Sequence, residues 1–320
     1  MGTGNSRSNS RFYLTTQDII NECGLGNQMA NLHVLVTGAT SGIGLETGRA
    51  LACAGANVYL MGRNEEKLQG VLQNINNELQ QRQQSIGYVQ GLICDLNSLV
   101  SVKQCAEKFI SENKPLNVLI LNAGMVNFSY ARTIDGLEQL IGVNHIAQAY
   151  LTQLLMPTLI ANAPSRIVIV SSLFHVDSPL NYQALDHINS TKTDAKNSWS
   201  VKSSYQQSKL ANVLFARAIA SRYKDKQITA YSLHPGVIDT NLDAKIPFSS
   251  LFKIFYKKKT VDQGAATTVY CALKPGLENE TGRYFDDSTV TNIADKWTDD
   301  DLDTFWEWTE KVIQERTANL

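Results

Sequence analysis

The chain has 320 residues, of which 43% are hydrophobic and 18% charged, with 20 glycines, 7 prolines and a formal net charge of −1. This length is ample for a buried core, and the composition excludes a wholly disordered or collagen-like chain. The near-neutral charge argues against a dedicated nucleic-acid binder, which would carry a strong basic excess.

The N-terminal sequence and the cysteines indicate the cellular compartment. The five cysteines are scattered and form no C-x-x-C pair, which predicts neither a disulfide framework nor a metal site and fits a reducing, cytoplasmic setting. No apolar run is long enough to predict a membrane-spanning helix. The first six residues match the N-myristoylation pattern at Gly2, with a disordered polar tail as the alternative. If Gly2 is acylated, we expect peripheral contact with a membrane.

Strand-like and helix-like segments alternate along the chain. Residues 1–30 are polar and predict an N-terminal tail with at most one docking helix. The predicted strands are 33–37, 57–61, 86–93, 117–121, 166–170 and 228–233. The predicted helices are 43–54, 65–81, 100–110, 137–159, 205–223 and a C-terminal helix capped at Thr298. This alternation predicts a doubly wound, Rossmann-type parallel sheet with helices on both faces, in one α/β domain over 31–320.

A glycine-rich turn follows the first predicted strand. It reads Thr37-Gly38-Ala39-Thr40-Ser41-Gly42-Ile43-Gly44 and opens a predicted helix. Glycines let the backbone approach a pyrophosphate, and the helix N-terminus attracts that anion. The G-x-x-x-G-x-G spacing differs from the common G-x-G-x-x-G fingerprint, and an ordinary tight turn is the alternative.

The end of the second predicted strand carries an arginine where a carboxylate is usual in NAD-binding folds. The sequence there is Leu60-Met61-Gly62-Arg63-Asn64. A carboxylate would repel a ribose 2′-phosphate, whereas a guanidinium binds it through two parallel hydrogen bonds. The sequence therefore predicts NADP(H) in preference to NAD(H), with a solvated, helix-capping arginine as the alternative.

Polar residues with catalytic chemistry fall at the same edge of the predicted sheet. Tyr205 and Lys209 lie four residues apart on one helix face, and Ser171-Ser172 ends the fifth strand. Asn122-Ala123-Gly124 ends the fourth strand, and Asn144 lies in the long helix that follows. Ligands bind at the carboxyl edge in open α/β sheets, so we expect these residues to meet there.

These motifs together resemble the short-chain dehydrogenase/reductase superfamily. The matching pieces are the turn at 37–44, Asp95-Leu96, Asn122-Ala123-Gly124, Asn144, Ser172, Tyr205/Lys209 and Pro235-Gly236, in the family's order over about residues 33–285. Segments 208–215, 234–236, 263–272 and 313–316 are most similar to the retinol-dehydrogenase-like and WW-domain-containing oxidoreductase branch. All four tryptophans lie in the second half of the chain, so we expect no WW module before the oxidoreductase domain.

The resemblance implies a role for each matching residue. Tyr205 is implied as general acid and base, and Lys209 lowers the pKa of its phenol and holds the nicotinamide ribose. Ser172 hydrogen-bonds the substrate oxygen, with Ser171 as competing candidate, and Asn144 holds a water in the proton relay. The implied cofactor contacts are Thr37, Gly38, Thr40, Ser41, Gly42, Ile43, Gly44, Arg63, Asn64, Asp95, Leu96, Asn122, Ala123, Gly124, Tyr205, Lys209, Pro235, Gly236, Val237 and Thr240.

An apolar segment predicts the kind of substrate. In this family, a lid over the substrate lies at about residues 237–260, and here it is rich in Phe, Ile and Leu and ends in Lys257-Lys258-Lys259. We therefore expect carbonyl–alcohol interconversion on a lipophilic small molecule: a retinoid, a steroid or a long-chain aldehyde. The lysine run suits anionic lipid headgroups, with a core-packing helix that carries solvated lysines as the alternative. A non-catalytic NADP(H)-binding regulatory or interaction protein on the same fold is the alternative function, and the sequence leaves a homo-oligomer open.

Overall fold

The computed structural model describes residues 13–82, 87–178, 181–189, 195–238, 258–292 and 296–320. These residues contain an eight-stranded sheet of order β3-β2-β1-β4-β5-β6-β7-β8. The strands are β1 His33–Val36, β2 Asn57–Gly62, β3 Val89–Ile93, β4 Val118–Leu121, β5 Ser165–Val170, β6 Ile228–His234, β7 Tyr284–Asp286 and β8 Thr289–Thr291. All neighbours pair parallel except β7 and β8, which pair antiparallel. The predicted doubly wound parallel sheet is confirmed.

Helices cover both faces of this sheet. They are α1 Thr16–Cys23, α2 Gly42–Cys53, α3 Glu65–Gln81, α4 Leu99–Ser111, α5 Gln139–Ile141, α6 Ala147–Ala161, α7 Tyr182–Asn189, α8 Ala195–Ser198, α9 Val201–Arg222, α10 Val261–Leu273 and α11 Asp299–Thr317. One apolar layer joins the sheet to α4, α6, α9 and α11, and the other joins it to α1, α2, α3 and α10. Among the described helices, none combines the length and apolar character that a membrane crossing requires.

The central strands are buried on both faces. In β4, Leu119 and Leu121 enter the layer with α4 and α6, whereas Val118 and Ile120 enter the opposite layer. All four side chains are at most 2% exposed. A continuous apolar run is typical of such a strand, because neither of its faces meets water. The carboxyl ends of β1, β2, β4, β5 and β6 therefore meet at one edge, where the predicted site residues follow.

The predicted long helix 137–159 is interrupted in the structure. It consists of α5, a π-helical turn at Gly142–Ile146 and then α6. The π turn contains Asn144, and such turns are frequent at functional sites. The prediction also missed β7 and β8, because three-residue strands are too short to show an alternating pattern. Strand β3 begins at Val89, and Ile86, where the prediction began it, lies outside the described residues.

The N-terminal segment is part of the domain from residue 13 onward. Helix α1 and a 3-10 turn at Gly26–Asn31 precede β1. The backbone N–H and hydroxyl of Thr16 donate to the Asp262 carboxylate at 2.9 and 2.6 Å, at the start of α10. The docking helix allowed for in the sequence is therefore present, and residues 13–30 are folded onto the domain rather than forming a tail.

Candidate active site

A cleft of about 450 Å³ opens at the carboxyl edge of the sheet. Most of the predicted cofactor and catalytic residues line it: Gly38, Thr40, Ser41, Gly42, Ile43, Gly44, Arg63, Asp95, Leu96, Asn122, Ala123, Gly124, Tyr205, Lys209 and Pro235. Behind or beside the wall of the cleft lie Thr37, Asn144 and Ser172. Asn64 follows the lining residue Arg63 along the chain, and Gly236-Val237 follows the lining residue Pro235. Thr240 lies outside the described residues.

The glycine turn needs its glycines for close packing. Gly38 has a φ of +65°, in the left-handed region, and a Cβ there would lie 2.8 Å from the Cα of Ala123. A Cβ at Gly44 would overlap the side-chain amide of Asn122 and the carbonyl oxygen of Gly38. Because Gly42, Ile43 and Gly44 line the cleft, the positive end of the α2 dipole is directed into it. The turn is therefore suited to an anionic ligand.

A buried hydrogen-bond network behind the turn joins β1, β4 and α6. The Thr37 hydroxyl donates to Gln148 Oε1 at 2.8 Å and accepts from the Ala123 N–H at 2.9 Å. Gln148 Nε2 donates to the carbonyls of Ala123 and Asn144 at 3.0 and 2.8 Å. Thr37 therefore stabilises the floor of the cleft through hydrogen bonds on its buried side. Gln148 was not predicted as a site residue, although a buried amide in an apolar helix, four residues after Asn144, was a usable signal.

Two asparagines fix the loops that form the floor. Asn122 Nδ2 donates to the Thr37 and Gly38 carbonyls at 2.9 and 3.4 Å. Asn144 Oδ1 accepts from the Met125 N–H at 2.8 Å, and its Nδ2 donates to the Met125 carbonyl at 3.0 Å and to Ser208 Oγ at 3.1 Å. The π turn therefore presents Asn144 to both the loop after β4 and helix α9.

Tyr205 and Lys209 line the cleft from α9. The Lys209 ammonium lies 5.8 Å from the centre of the Tyr205 ring and donates to the Val170 carbonyl at 3.2 Å. Burial lowers the pKa of Lys209 from 10.5 to about 8, because desolvation disfavours the charged form. A Cβ at Gly124 would lie 3.0 Å from the ammonium, so the glycine makes room for it.

The two serines after β5 use their hydroxyls differently. Ser171 Oγ donates to the Lys209 carbonyl at 2.6 Å, whereas Ser172 Oγ accepts from the Phe174 N–H at 3.4 Å. Ser171 lines the cleft, and Ser172 begins the 3-10 turn Leu173–His175. The Phe174 ring of that turn lies edge-on to the Tyr205 ring, with centroids 5.9 Å apart. The Ser171 hydroxyl is therefore committed to the backbone of α9.

The end of β2 forms the far side of the cleft. Arg63 is exposed and lines the cleft, and Asn64 Oδ1 caps α3 by accepting from the Lys67 N–H at 2.8 Å. Asp95 lines the adjoining wall, where its carboxylate accepts from the Asn97 N–H at 3.0 Å. The remaining lining residues carried no motif by which the sequence could identify them: Met61, Gly62, Cys94, Asn97, Met125, Gln139, Val143 and Val170.

The environment of the lysine run at 257–259 differs from the lipid-facing surface that the sequence predicts. Lys259 is 5% exposed and forms an ion pair with Asp287. Lys258 is exposed, and Lys257 lies outside the described residues. The prediction that the whole run faces lipid headgroups is wrong for Lys259, since its ammonium already has a carboxylate partner within the fold.

Comparisons with known proteins find relatives over most of the chain. The family model for short chain dehydrogenase matches residues 32–183. Human retinol dehydrogenase 11 is 40% identical over 273 residues, covering 83% of this chain and 80% of that protein. Human WW domain-containing oxidoreductase is 34% identical over 299 residues, covering 92% and 71%.

Solved structures share the fold. A protein of Mycobacterium Paratuberculosis superposes with a TM-score of 0.66 at 27% identity, covering 89% of this chain and 94% of that one. A short chain dehydrogenase from Burkholderia cenocepacia, solved in complex with NADP, has a TM-score of 0.64 at 21% identity, covering 81% and 97%. The resemblance inferred from the motifs is confirmed. The chain belongs to the short-chain dehydrogenase/reductase family and is an oxidoreductase that acts on CH–OH groups.

Proposed function

We propose that the protein interconverts a carbonyl and an alcohol on a lipophilic substrate, with NADP(H) as cofactor and Tyr205 as general acid and base. The observation that carries this proposal is that one cleft joins the glycine turn at residues 38–44 to the Tyr205–Lys209 pair. A single extended ligand can therefore bind the turn with its anionic part and reach the phenol with its reactive end.

The cleft fits a dinucleotide cofactor. Gly38 and Gly44 let the turn pack closely against Ala123 and Asn122, and α2 directs its positive end into the cleft. When bound, NADP(H) supplies or accepts the hydride. The chain's task at this end is to hold the pyrophosphate through backbone N–H groups.

Arg63 supports a preference for NADP(H). It is exposed at the cleft wall, directly after β2, and the stretch from Leu60 to Asn64 contains no carboxylate. A guanidinium there would pair with the 2′-phosphate, which NAD(H) lacks. We expect Arg63→Ala to weaken NADPH binding more than NADH binding, and equal weakening of both would contradict this assignment.

The proton chemistry is assigned to Tyr205 with the help of Lys209. The phenol would donate its proton to the substrate oxygen during reduction and take a proton from the alcohol during oxidation. A free phenol has a pKa near ~10 and is a poor base at neutral pH, unless a nearby cation favours the phenolate. The Lys209 ammonium, 5.8 Å from the ring centre, supplies that charge.

Ser172 and Asn144 are assigned supporting roles. We favour Ser172 over Ser171 as the hydrogen-bond donor to the substrate oxygen, because the Ser171 hydroxyl already donates to the Lys209 carbonyl. The side-chain Oδ1 and Nδ2 of Asn144 are already hydrogen-bonded to Met125 and Ser208. The water of the proton relay would therefore bond the backbone carbonyl oxygen of Asn144. That oxygen accepts from Gln148 and has a second lone pair for the water.

The substrate class is supported by composition and by the relatives. The sequence between residues 242 and 259 contains Ile246, Phe248, Leu251, Phe252, Ile254 and Phe255. The Phe174 ring adds an apolar surface beside Tyr205. Two of the human relatives are named retinol dehydrogenases. A retinoid, a steroid or a long-chain aldehyde is therefore the substrate class to test first.

The test is oxidation of NADPH and NADH with retinal, steroid ketones and long-chain aldehydes. Wild type is compared with Tyr205→Phe and with Tyr223→Phe, a matched control at the far end of α9. We expect Tyr205→Phe to lower turnover by about 10²–10⁴-fold, with NADPH binding nearly unchanged, and Tyr223→Phe to remain active. Full activity in Tyr205→Phe would contradict the mechanism. Tight NADPH binding without turnover by wild type would favour the alternative function, a non-catalytic NADP(H)-binding regulator.

Membrane association is a separate proposal that rests on the Gly2 motif. A single acyl chain gives only marginal, reversible binding, so any attachment would be peripheral. The intact mass of protein from a eukaryotic host, followed by cosedimentation with anionic vesicles, tests it. An unmodified Gly2 would contradict acylation.

A further inference from the structure

A short turn connects β6 to the wall of the cleft. It runs from Pro235, which lines the cleft, to Ile238, and we call it the 235–238 turn. The backbone of Lys259 closes this turn, because the Lys259 N–H donates to the Val237 carbonyl at 2.9 Å and Ile238 forms a parallel bridge with Lys259. These backbone contacts hold Lys259 beside the turn.

The Lys259 side chain then folds back over the same turn. Its ammonium donates to the Pro235 carbonyl at 3.4 Å and forms an ion pair with the Asp287 carboxylate. It also lies 4.8 Å from the centre of the Tyr13 ring. A cation this deeply buried costs free energy unless its charge is compensated, and here a carboxylate, a carbonyl and an aromatic face provide the compensation.

Gly236 shows how closely the lysine packs on the turn. Its φ is +95°, and a Cβ built there would lie 2.5 Å from Lys259 Cδ and 2.7 Å from Cε. The methylene chain therefore occupies the space that any other residue at 236 would need. The glycine allows the backbone of the turn to pass directly beneath the lysine.

The groups that hold Lys259 are themselves anchored. Asp287 lies in the turn between β7 and β8, where the Ser288 N–H donates to Thr267 Oγ1 of α10 at 3.2 Å. On the other side, Gln263 Nε2 donates to the Tyr13 carbonyl at 3.4 Å. The lysine thus connects the 235–238 turn to the β7–β8 hairpin and to the N-terminal segment.

We infer that Lys259 is a positioning residue that holds the 235–238 turn in the shape required for cofactor binding, braced by Asp287 and Tyr13. This inference rests on the proposed function, in which NADP(H) occupies the cleft that Pro235 lines, and on the family resemblance, which implies Pro235, Gly236 and Val237 as cofactor contacts. Lys259 acts through the turn and does not itself line the cleft. Its predicted effect is on cofactor affinity and on the substrate end of the cleft.

The test compares Lys259→Met with Lys259→Arg and with a matched control, Lys274→Met. The Lys274 ammonium also pairs with a carboxylate, Glu22, and lies 5.9 Å from the centre of the Tyr270 ring, but it does not line the cleft. NADPH binding is measured by fluorescence titration without substrate. The melting temperature and the KM and kcat for the best substrate are measured alongside.

We expect Lys259→Met to raise the NADPH Kd and the substrate KM by at least about tenfold with a smaller change in kcat, because a displaced wall misorients the ligands. Arginine keeps the charge and should restore most of the affinity, whereas Lys274→Met should leave the Kd unchanged. An unchanged Kd in Lys259→Met, or equal losses in Lys259→Met and Lys274→Met, would overturn the inference.

Two further variants keep the inference testable if Lys259→Met does not fold. Asp287→Asn removes the carboxylate charge at a residue with a φ of +48°, a conformation that asparagine tolerates. Tyr13→Leu removes the ring. Each should raise the NADPH Kd above that of wild type, and wild-type affinity in both would overturn the inference. Loss of turnover in Tyr205→Phe together with an unchanged Kd in these variants would refute this inference alone. A wild type that does not bind NADPH would refute the proposed function and, with it, this inference.

Discussion

Replacing Lys209 with methionine should stabilise the protein without cofactor while abolishing its activity. Burial lowers the pKa of Lys209 from 10.5 to about 8, which corresponds to about 3 kcal/mol of unfolding free energy lost by keeping the ammonium charged inside the fold. Methionine has nearly the same shape. The unfolding free energy gained by the substitution is reduced by about 1 kcal/mol, because the hydrogen bond to the Val170 carbonyl is lost. That carbonyl still accepts from Asn212 Nδ2 at 3.1 Å. We therefore expect Lys209→Met to be about 2 kcal/mol more stable at pH 7.

The pH dependence of this gain follows from the direction of the pKa change. Below pH 8, Lys209 is charged in both the folded and the unfolded states, and the full cost is present. Between pH 8 and 10.5, the folded wild type releases its proton before the unfolded chain does. The unfolded state then binds more protons, so wild-type stability rises with pH relative to that of the variant. The advantage of Lys209→Met should therefore shrink as the pH rises toward 10.5.

Urea unfolding of the protein without cofactor, at pH 7 and again near pH 10, measures both expectations. Lys202→Met is the control, because Lys202 lies on the same helix and is exposed. It should change the unfolding free energy by less than about 0.5 kcal/mol at either pH. A variant that is less stable than wild type at pH 7, or a stability difference that does not change with pH, would refute the assigned cost of burying the Lys209 charge.

Three further substitutions test the architecture of the cleft and core. Thr37→Val should cost about 2–4 kcal/mol in urea unfolding, because the Ala123 N–H and Gln148 Oε1 both lose their partner; a cost near zero would show that water replaces the hydroxyl. Gly38→Ala should abolish NADPH binding in a fluorescence titration, since its Cβ would lie 2.8 Å from the Ala123 Cα; wild-type affinity would exclude this close approach. Trp306→Ala should cost about 3–5 kcal/mol by the same unfolding assay, because the ring stacks on Phe215 with centroids 5.7 Å apart; a change below about 1 kcal/mol would mean that α11 contributes little to the core.

The local sequence pattern was sufficient to predict the central sheet and the position of the cleft. The apolar run that forms β4 predicts a strand buried on both faces, and in the structure successive side chains enter opposite core layers. The glycine turn and Arg63 follow the ends of β1 and β2, so parallel topology brings them to one edge. Tyr205 and Lys209 lie on one helix face through their spacing alone. Each of these inferences depends on residues close together in the chain.

Contacts between distant segments decided the rest. The sequence left Ser171 and Ser172 as alternatives, and only the Lys209 carbonyl at 2.6 Å shows that the Ser171 hydroxyl is committed to α9. Lys259 belongs to a run of three lysines that predicts a solvated or lipid-facing surface, yet it is buried against Asp287 and Tyr13. The environment of a charge depends on which groups the fold places around it, and those groups lie 24 or more residues away in this chain. For that reason the sequence by itself determined the fold and the cleft, and the tertiary structure decided how individual hydroxyls and charges are used.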